Sequence, residues 1–158
     1  MILLTSTGNA EKDFFSSQYI KKGDELIYLK TPRGKVVEAK ALRSLNMKIQ
    51  GLSGIKPNEL QNHQGALFIY DEMSPRQFWM PDTYFDLCII FMNEKLEVID
   101  LIKNAPSHPG RTEPPVIFKS RDVVSSHVLE VKSSSKICKN LEKGQKLNVI
   151  KGDHRQRK

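Results

Sequence analysis

A chain of 158 residues with 39% hydrophobic and 27% charged side chains has the composition of one folded domain, not of a disordered, collagenous or membrane-embedded protein. No apolar run approaches the ~20 residues that a bilayer-crossing helix needs, and a domain of this length buries enough surface to fold without a metal or a disulfide framework. The net charge of +7 is unevenly placed: residues 1–118 hold 14 Lys/Arg against 14 Asp/Glu, and residues 119–158 hold 11 against four.

Residues 1–10 contain Ile2-Leu3-Leu4, then Gly8 and Ala10 at the spacing a signal peptidase accepts, but no basic start. This pattern is expected of the end of a signal peptide that begins upstream of Met1, with a mature domain starting near Glu11 in the periplasm or outside the cell. A cytoplasmic N-terminus is the alternative. Residues 11–35 are an N-terminal extension with the first hairpin strand, 36–150 the body of a β domain, and 151–158 a basic tail.

Glu25–Lys30 and Lys35–Leu42 are rich in β formers, and Thr31-Pro32-Arg33-Gly34 between them suits a type I turn, so the pair reads as a hairpin. Ser44 follows as a helix N-cap. Leu45, Ile49 and Leu52 then fall at i, i+4 and i+7, one face of a short helix that Gly51 and Gly54 end. Pro57–Gln64 reads as a loop. Gly65–Tyr70 is a strand, Asp71–Arg76 a turn, Gln77–Met80 a strand stopped by Pro81, Phe85–Met92 a long apolar strand, and Leu96–Ile102 a fourth. Asn104–Pro115 holds four of the eight prolines and reads as a long surface loop, a common place for function. His127–Val131 is a strand. Ser133–Ser135 caps a helix that sets Ile137 and Leu141 on one face, and Lys146–Ile150 closes the chain. Many short strands and two brief helices predict a mainly β protein, an antiparallel β-sandwich or partly open barrel.

The sequence has no phosphate loop, no dinucleotide fingerprint, no nucleophile elbow and no H-E-x-x-H. His63, His108, His127 and His154 are scattered, and no Cys/His pair has metal spacing. The sequence therefore proposes neither metal nor cofactor. Cys88, within an apolar run, reads as a small buried hydrophobe, and a bridge from it to Cys138 is left open by the spacing.

The informative stretch runs from Phe78 to Asp86. Asp86 interrupts an otherwise apolar or aromatic run, inside the expected strand Phe85–Met92, where a carboxylate needs a partner or water; it would line a cleft or serve as structural glue. Trp79, the only tryptophan, would stack on a sugar or pack in the core. Asp82 would contact a ligand or cap a turn. Thr83 and His63 complete the candidate ligand-binding set.

The same stretch resembles the motif of a bacterial and archaeal family, domain of unknown function 192, whose FWMKNT-like signature here reads Phe78-Trp79-Met80-Pro81-Asp82-Thr83. Gly51-Leu52-Ser53 is similar to the family's GLM, Gly65-Ala66-Leu67-Phe68 to its GMLF, Asp86–Phe91 to its LDIIF, Val128-Leu129-Glu130-Val131 to its VLEL, and Lys143–Leu147 to its closing GD-x-V. The resemblance spans about residues 36–150 in order. It implies a compact β-rich fold, often behind a signal peptide, and no established activity. The chain departs from the pattern where the Arg that follows GLM is Ile55, with Lys56 next, and where the motif's Lys and Asn are Pro81 and Asp82.

Three functions follow as expectations. The first is a non-catalytic binding module for a small polar or carbohydrate-like ligand. The second is a hydrolase using Asp82 and Asp86 as acid and base. The third is a basic adaptor docking residues 119–158 on nucleic acid or anionic membrane, although acids interrupt its lysines and no aromatic residue interleaves them.

Overall fold

The computed structural model describes residues 19–152; the expectations for residues 1–10 and for most of the basic tail lie outside them. Seven strands form one sheet in the order β5-β4-β6-β3-β2-β1-β7. They are β1 Leu26–Lys30, β2 Val36–Leu42, β3 Gln64–Arg76, β4 Leu87–Met92, β5 Val98–Ala105, β6 Val123–Lys132 and β7 Asn148–Ile150. All neighbours pair antiparallel except β2 and β3, which run parallel. The chain is thus mainly β, as its patterning predicts, but as a single mixed sheet. Its edges approach where Val98 N–H donates to the Gln145 carbonyl (2.8 Å) and Leu147 N–H to that of Leu96 (3.0 Å), yet they do not close a barrel. Among the described residues no helix is long and apolar enough to cross a membrane.

Alternation along the strands builds two cores, one on each face. In β4 the side chains of Leu87, Ile89 and Phe91 enter one face, and those of Cys88, Ile90 and Met92 the other. All six are buried, the five Leu, Ile, Phe and Met side chains each contributing about 1.5–3 kcal/mol relative to exposure. A central strand covered on both sides reads as a continuous apolar run, which is why the period-2 signal is weak there. The first face is covered by residues 43–60, 77–86 and 106–120. The second is filled from Leu29, Val37, Ala39, Leu67, Leu129 and Val131, and is plugged by α2 (Lys136–Asn140), whose Ile137 and Cys138 are buried. Cys138 forms a disulfide with Cys88, Cα atoms 6.0 Å apart, so Cys88 is both a core residue and half of a staple from α2 to the central strands.

Local expectations hold where short-range chemistry decides. The β1–β2 hairpin turns through Thr31–Gly34, with Gly34 N–H donating to the Thr31 carbonyl at 2.9 Å. Ser44 caps α1 (Leu45–Gln50) by accepting from Met47 N–H at 3.2 Å, and Ser135 caps α2 by accepting from Ile137 N–H at 3.2 Å. Three readings change. The expected turn at Asp71–Arg76 is the second half of β3, which continues past a register shift to pair Ser74 and Pro75 with Ser125 and Val124. Beyond Phe68, β3 has lost β2 as a neighbour, so the missing N–H of Pro75 leaves no ladder bond unmade on that side. Gln77–Met80, expected as a strand, makes only an isolated bridge between Trp79 and Lys119. The α1 face also differs: Leu52, beyond the helix, is buried and Met47 packs against the first core, but Leu45 and Ile49 are each 72% exposed.

Candidate functional site

On the first face, segments from four places in the chain enclose a cavity of about 200 Å³. The end of α1 and the turn after it supply Lys48, Gly51 and Ser53. Strand β3 supplies Phe68 and Tyr70. The segment before β4 supplies Phe78, Trp79 and Thr83, and β6 supplies Glu130.

Backbone geometry sets these positions. Gly51 ends α1 at φ 49°, and a Cβ there would lie 2.9 Å from the Phe68 ring; glycine lets the turn close over the aromatic floor. Gly65 lets β3 approach β6, since a Cβ there would lie 2.5 Å from the Glu130 carbonyl. The 77–83 segment is held from both sides. Phe78 N–H donates to Ser120 Oγ (2.8 Å) and Ser120 N–H to the Phe78 carbonyl (2.8 Å). Ser53 Oγ donates to the Pro81 carbonyl (2.9 Å) and Gly54 N–H to that of Asp82 (2.8 Å). Phe78 and Met80 point into the core while Trp79 between them is 51% exposed, at the cavity's edge with Lys119 Nζ 5.3 Å from its ring centre.

The expected site residues separate. Trp79 and Thr83 line the cavity; Thr83 is buried and exchanges backbone hydrogen bonds with His108 in the proline-rich loop (3.1 and 2.9 Å). Asp82, Asp86 and His63 do not line it. Asp82 sits at φ 52°, in the left-handed region where Asp and Asn are the commonest non-glycine residues. Asp86 lies one residue before β4, exposed, and its Oδ1 accepts from Ser107 N–H at 2.8 Å, so it joins the proline-rich loop to the sheet. His63 is exposed beside β2, its carbonyl accepting from Glu38 N–H at 2.9 Å. Within the basic quarter, Arg121 (2.7 Å) and Lys143 (2.9 Å) converge on Asp100, and Lys132 lies over Phe85.

Sequence reasoning missed Glu130. It is 4% exposed, on the cavity face of β6, and no described residue hydrogen-bonds or ion-pairs with its carboxyl. Burial without a counter-charge pushes this carboxyl up to about 8, so at neutral pH it keeps its proton and can donate. The signal was present: Glu130 interrupts Val128-Leu129-Glu130-Val131 as Asp86 interrupts its own apolar run. Tyr70 is also raised, by burial; Arg76 opposes this, and the Glu130 charge adds a smaller upward push.

A family model for domain of unknown function 192, described as "Uncharacterized ACR", matches residues 28–149, and the chain belongs to that family. No curated protein matches it. Two solved structures share its fold, each with a TM-score of 0.61. A candidate transcription regulator from Sinorhizobium meliloti is 22% identical and aligns over 82% of this chain and 96% of its own. A protein of unknown function from Novosphingobium aromaticivorans is 20% identical and aligns over 79% of this chain and 84% of its own.

Proposed function

We propose that this domain is a non-catalytic binding module for a small polar, carbohydrate-like ligand, which sits in the cavity between Trp79 and Glu130. The observation that carries the reading is convergence. The segments similar to the family's GLM, GMLF, FWMKNT and VLEL motifs all contribute lining residues: Gly51 and Ser53, Phe68, Trp79 and Thr83, and Glu130. An exposed aromatic side chain beside convergent polar groups, here Lys48, Ser53, Thr83 and Glu130, is a form that small-ligand sites take. Of the expected ligand contacts, Trp79 and Thr83 keep that role here, while Asp82 and Asp86 hold the segment that carries them. Titration of wild type and Trp79→Ala with a panel of mono- and oligosaccharides tests it. Binding by wild type that weakens at least tenfold in the variant is expected; equal binding by both, or by neither, ends the reading.

We also propose that the protein works in the periplasm or outside the cell. The support is the buried Cys88–Cys138 disulfide, since reducing compartments keep such pairs as thiols.

A further inference from the structure

The cavity carries opposite chemistries at its mouth and its floor. At the mouth, Lys48 Nζ lies 4.1 Å from the Tyr70 ring centre and Arg76 3.3 Å from it, and Lys119 covers Trp79. Burial lowers the ionisation of Lys48, while the Asp71 charge opposes this and Arg76 and Arg43 add to it. At the floor stands the Glu130 carboxyl. The titratable groups that face it are the Tyr70 and Tyr19 phenols and, across the cavity, Lys48. The Tyr19 hydroxyl is buried with no described partner. The lysine on the same face of the sheet, Lys40, is paired with Asp24 at 3.1 Å. The lining thus brings a partly exposed lysine, Lys48, together with a buried acid, Glu130, that has no partner among the described residues, and Arg76 and Lys119 lie against aromatic rings of that lining. A cationic ligand does not fit this lining, because Lys48 and Arg76 already lie on the Tyr70 ring and would repel it.

We propose that the ligand is a small organic anion, such as an acid sugar, whose charge is met by Lys48 at the mouth while the Glu130 carboxyl donates a hydrogen bond to it from the floor. This rests on the reading of the cavity as a ligand site and narrows it to one chemical class. Burial keeps the Glu130 proton in place at neutral pH, which the donating role needs. Above its ionisation the floor becomes an anion facing an anion, and apparent affinity falls with the protonated fraction, about tenfold for each further pH unit.

The test is calorimetric titration of the full chain with sodium glucuronate, sodium acetate, methyl glucoside and tetramethylammonium chloride at pH 6.5 and pH 9.5. Expected are glucuronate binding at pH 6.5 at least tenfold tighter than methyl glucoside, and a loss of at least tenfold by pH 9.5. Lys48→Gln should weaken glucuronate alone. Glu130→Gln, which keeps a donor, should bind glucuronate with a much shallower pH profile than wild type, the remaining slope being that of Lys48, whose ionisation burial lowers; if that variant fails to fold, the wild-type profile decides. Methyl glucoside binding as tightly as glucuronate, or tetramethylammonium binding more tightly at pH 9.5, overturns the anion inference and leaves the ligand site standing. No binding of any probe at millimolar concentration removes both.

Discussion

Lys40 and Glu130 stand on the same face of the sheet, in register on either side of Ala66, yet the lysine pairs with Asp24 rather than with the glutamate. Glu130 is therefore buried as an acid, and its proton is linked to folding. Its carboxyl goes from an ordinary 4.5 to about 8. Between those values the folded state holds a proton that the unfolded state has released, so stability falls as pH rises, by about 1.4 kcal/mol per pH unit from this group, and levels off above about pH 8. Glu130→Gln removes that slope. Urea midpoints at pH 5, 7 and 9 should show the variant gaining on wild type at each step and exceeding it at pH 9. A constant difference between the two across this range would mean that Glu130 folds ionised.

Phe78 and Trp79 are neighbours in sequence with opposite duties. The Phe78 ring meets Phe68 edge-on at 4.9 Å and Phe91 at 5.8 Å. Phe78→Ala empties part of the first core and should cost about 3–5 kcal/mol. Trp79 is 51% exposed, and Trp79→Ala should cost below about 1 kcal/mol while removing ligand binding. Thermal denaturation of both variants separates the roles; a Trp79→Ala loss as large as that of Phe78→Ala would make the tryptophan a core residue.

Asp82 holds φ 52° with its backbone fixed at both ends, N–H to the Gly110 carbonyl and carbonyl to Gly54 N–H. The family motif has asparagine at this place. Asp82→Asn and Asp82→Gly should therefore leave stability within about 0.5 kcal/mol. Asp82→Val should cost about 1–2 kcal/mol or more, because a β-branched side chain clashes in the left-handed region. Melting temperatures of the three variants check this, and a valine variant as stable as the others would show that the turn relaxes.

Much of the fold was legible because turns, caps and apolar runs are local. Thr31–Gly34, Ser44 and Ser135 act through atoms a few residues away, and β4 is apolar along its whole length. What was not legible depends on neighbours far in sequence. Whether Asp71–Arg76 turns or continues as β3 is decided by its pairing with β6, and whether Leu45 and Ile49 are covered is decided by where a six-residue helix meets the sheet. The site divides the same way. Trp79 and Thr83 belong to a recognisable motif. Asp86 and Glu130 both interrupt apolar runs in the sequence, but β4 begins after Asp86, whereas Glu130 lies inside β6 and is buried. The phase of the alternation and the strand boundary separate a surface anchor from a buried acid, and a one-residue change in either reverses the assignment.

The disulfide yields the last prediction. Cys88 lies at 0% and Cys138 at 1% exposure, and their bond closes a loop with a sequence separation of 50. Constraining the unfolded chain over such a loop stabilises by roughly 4 kcal/mol on the chain-entropy estimate, and native disulfides typically contribute about 2–4 kcal/mol. The bridge also ties α2, too short to hold itself on the sheet, to β4 at the centre. Cys138→Ser should lose stability in that range, with the second core around Ile137 and Leu141 loosened more than the first, as hydrogen exchange would show. Wild type in reductant should behave as the variant does once the buried bond is reduced. If the protein is exported, material recovered from cells carries the bond quantitatively, seen as a mass lower by two hydrogens than the reduced chain, and begins near Glu11. Both thiols free on recovered protein that retains Met1–Ala10 intact would place it in the cytoplasm, with the second core packed without the staple.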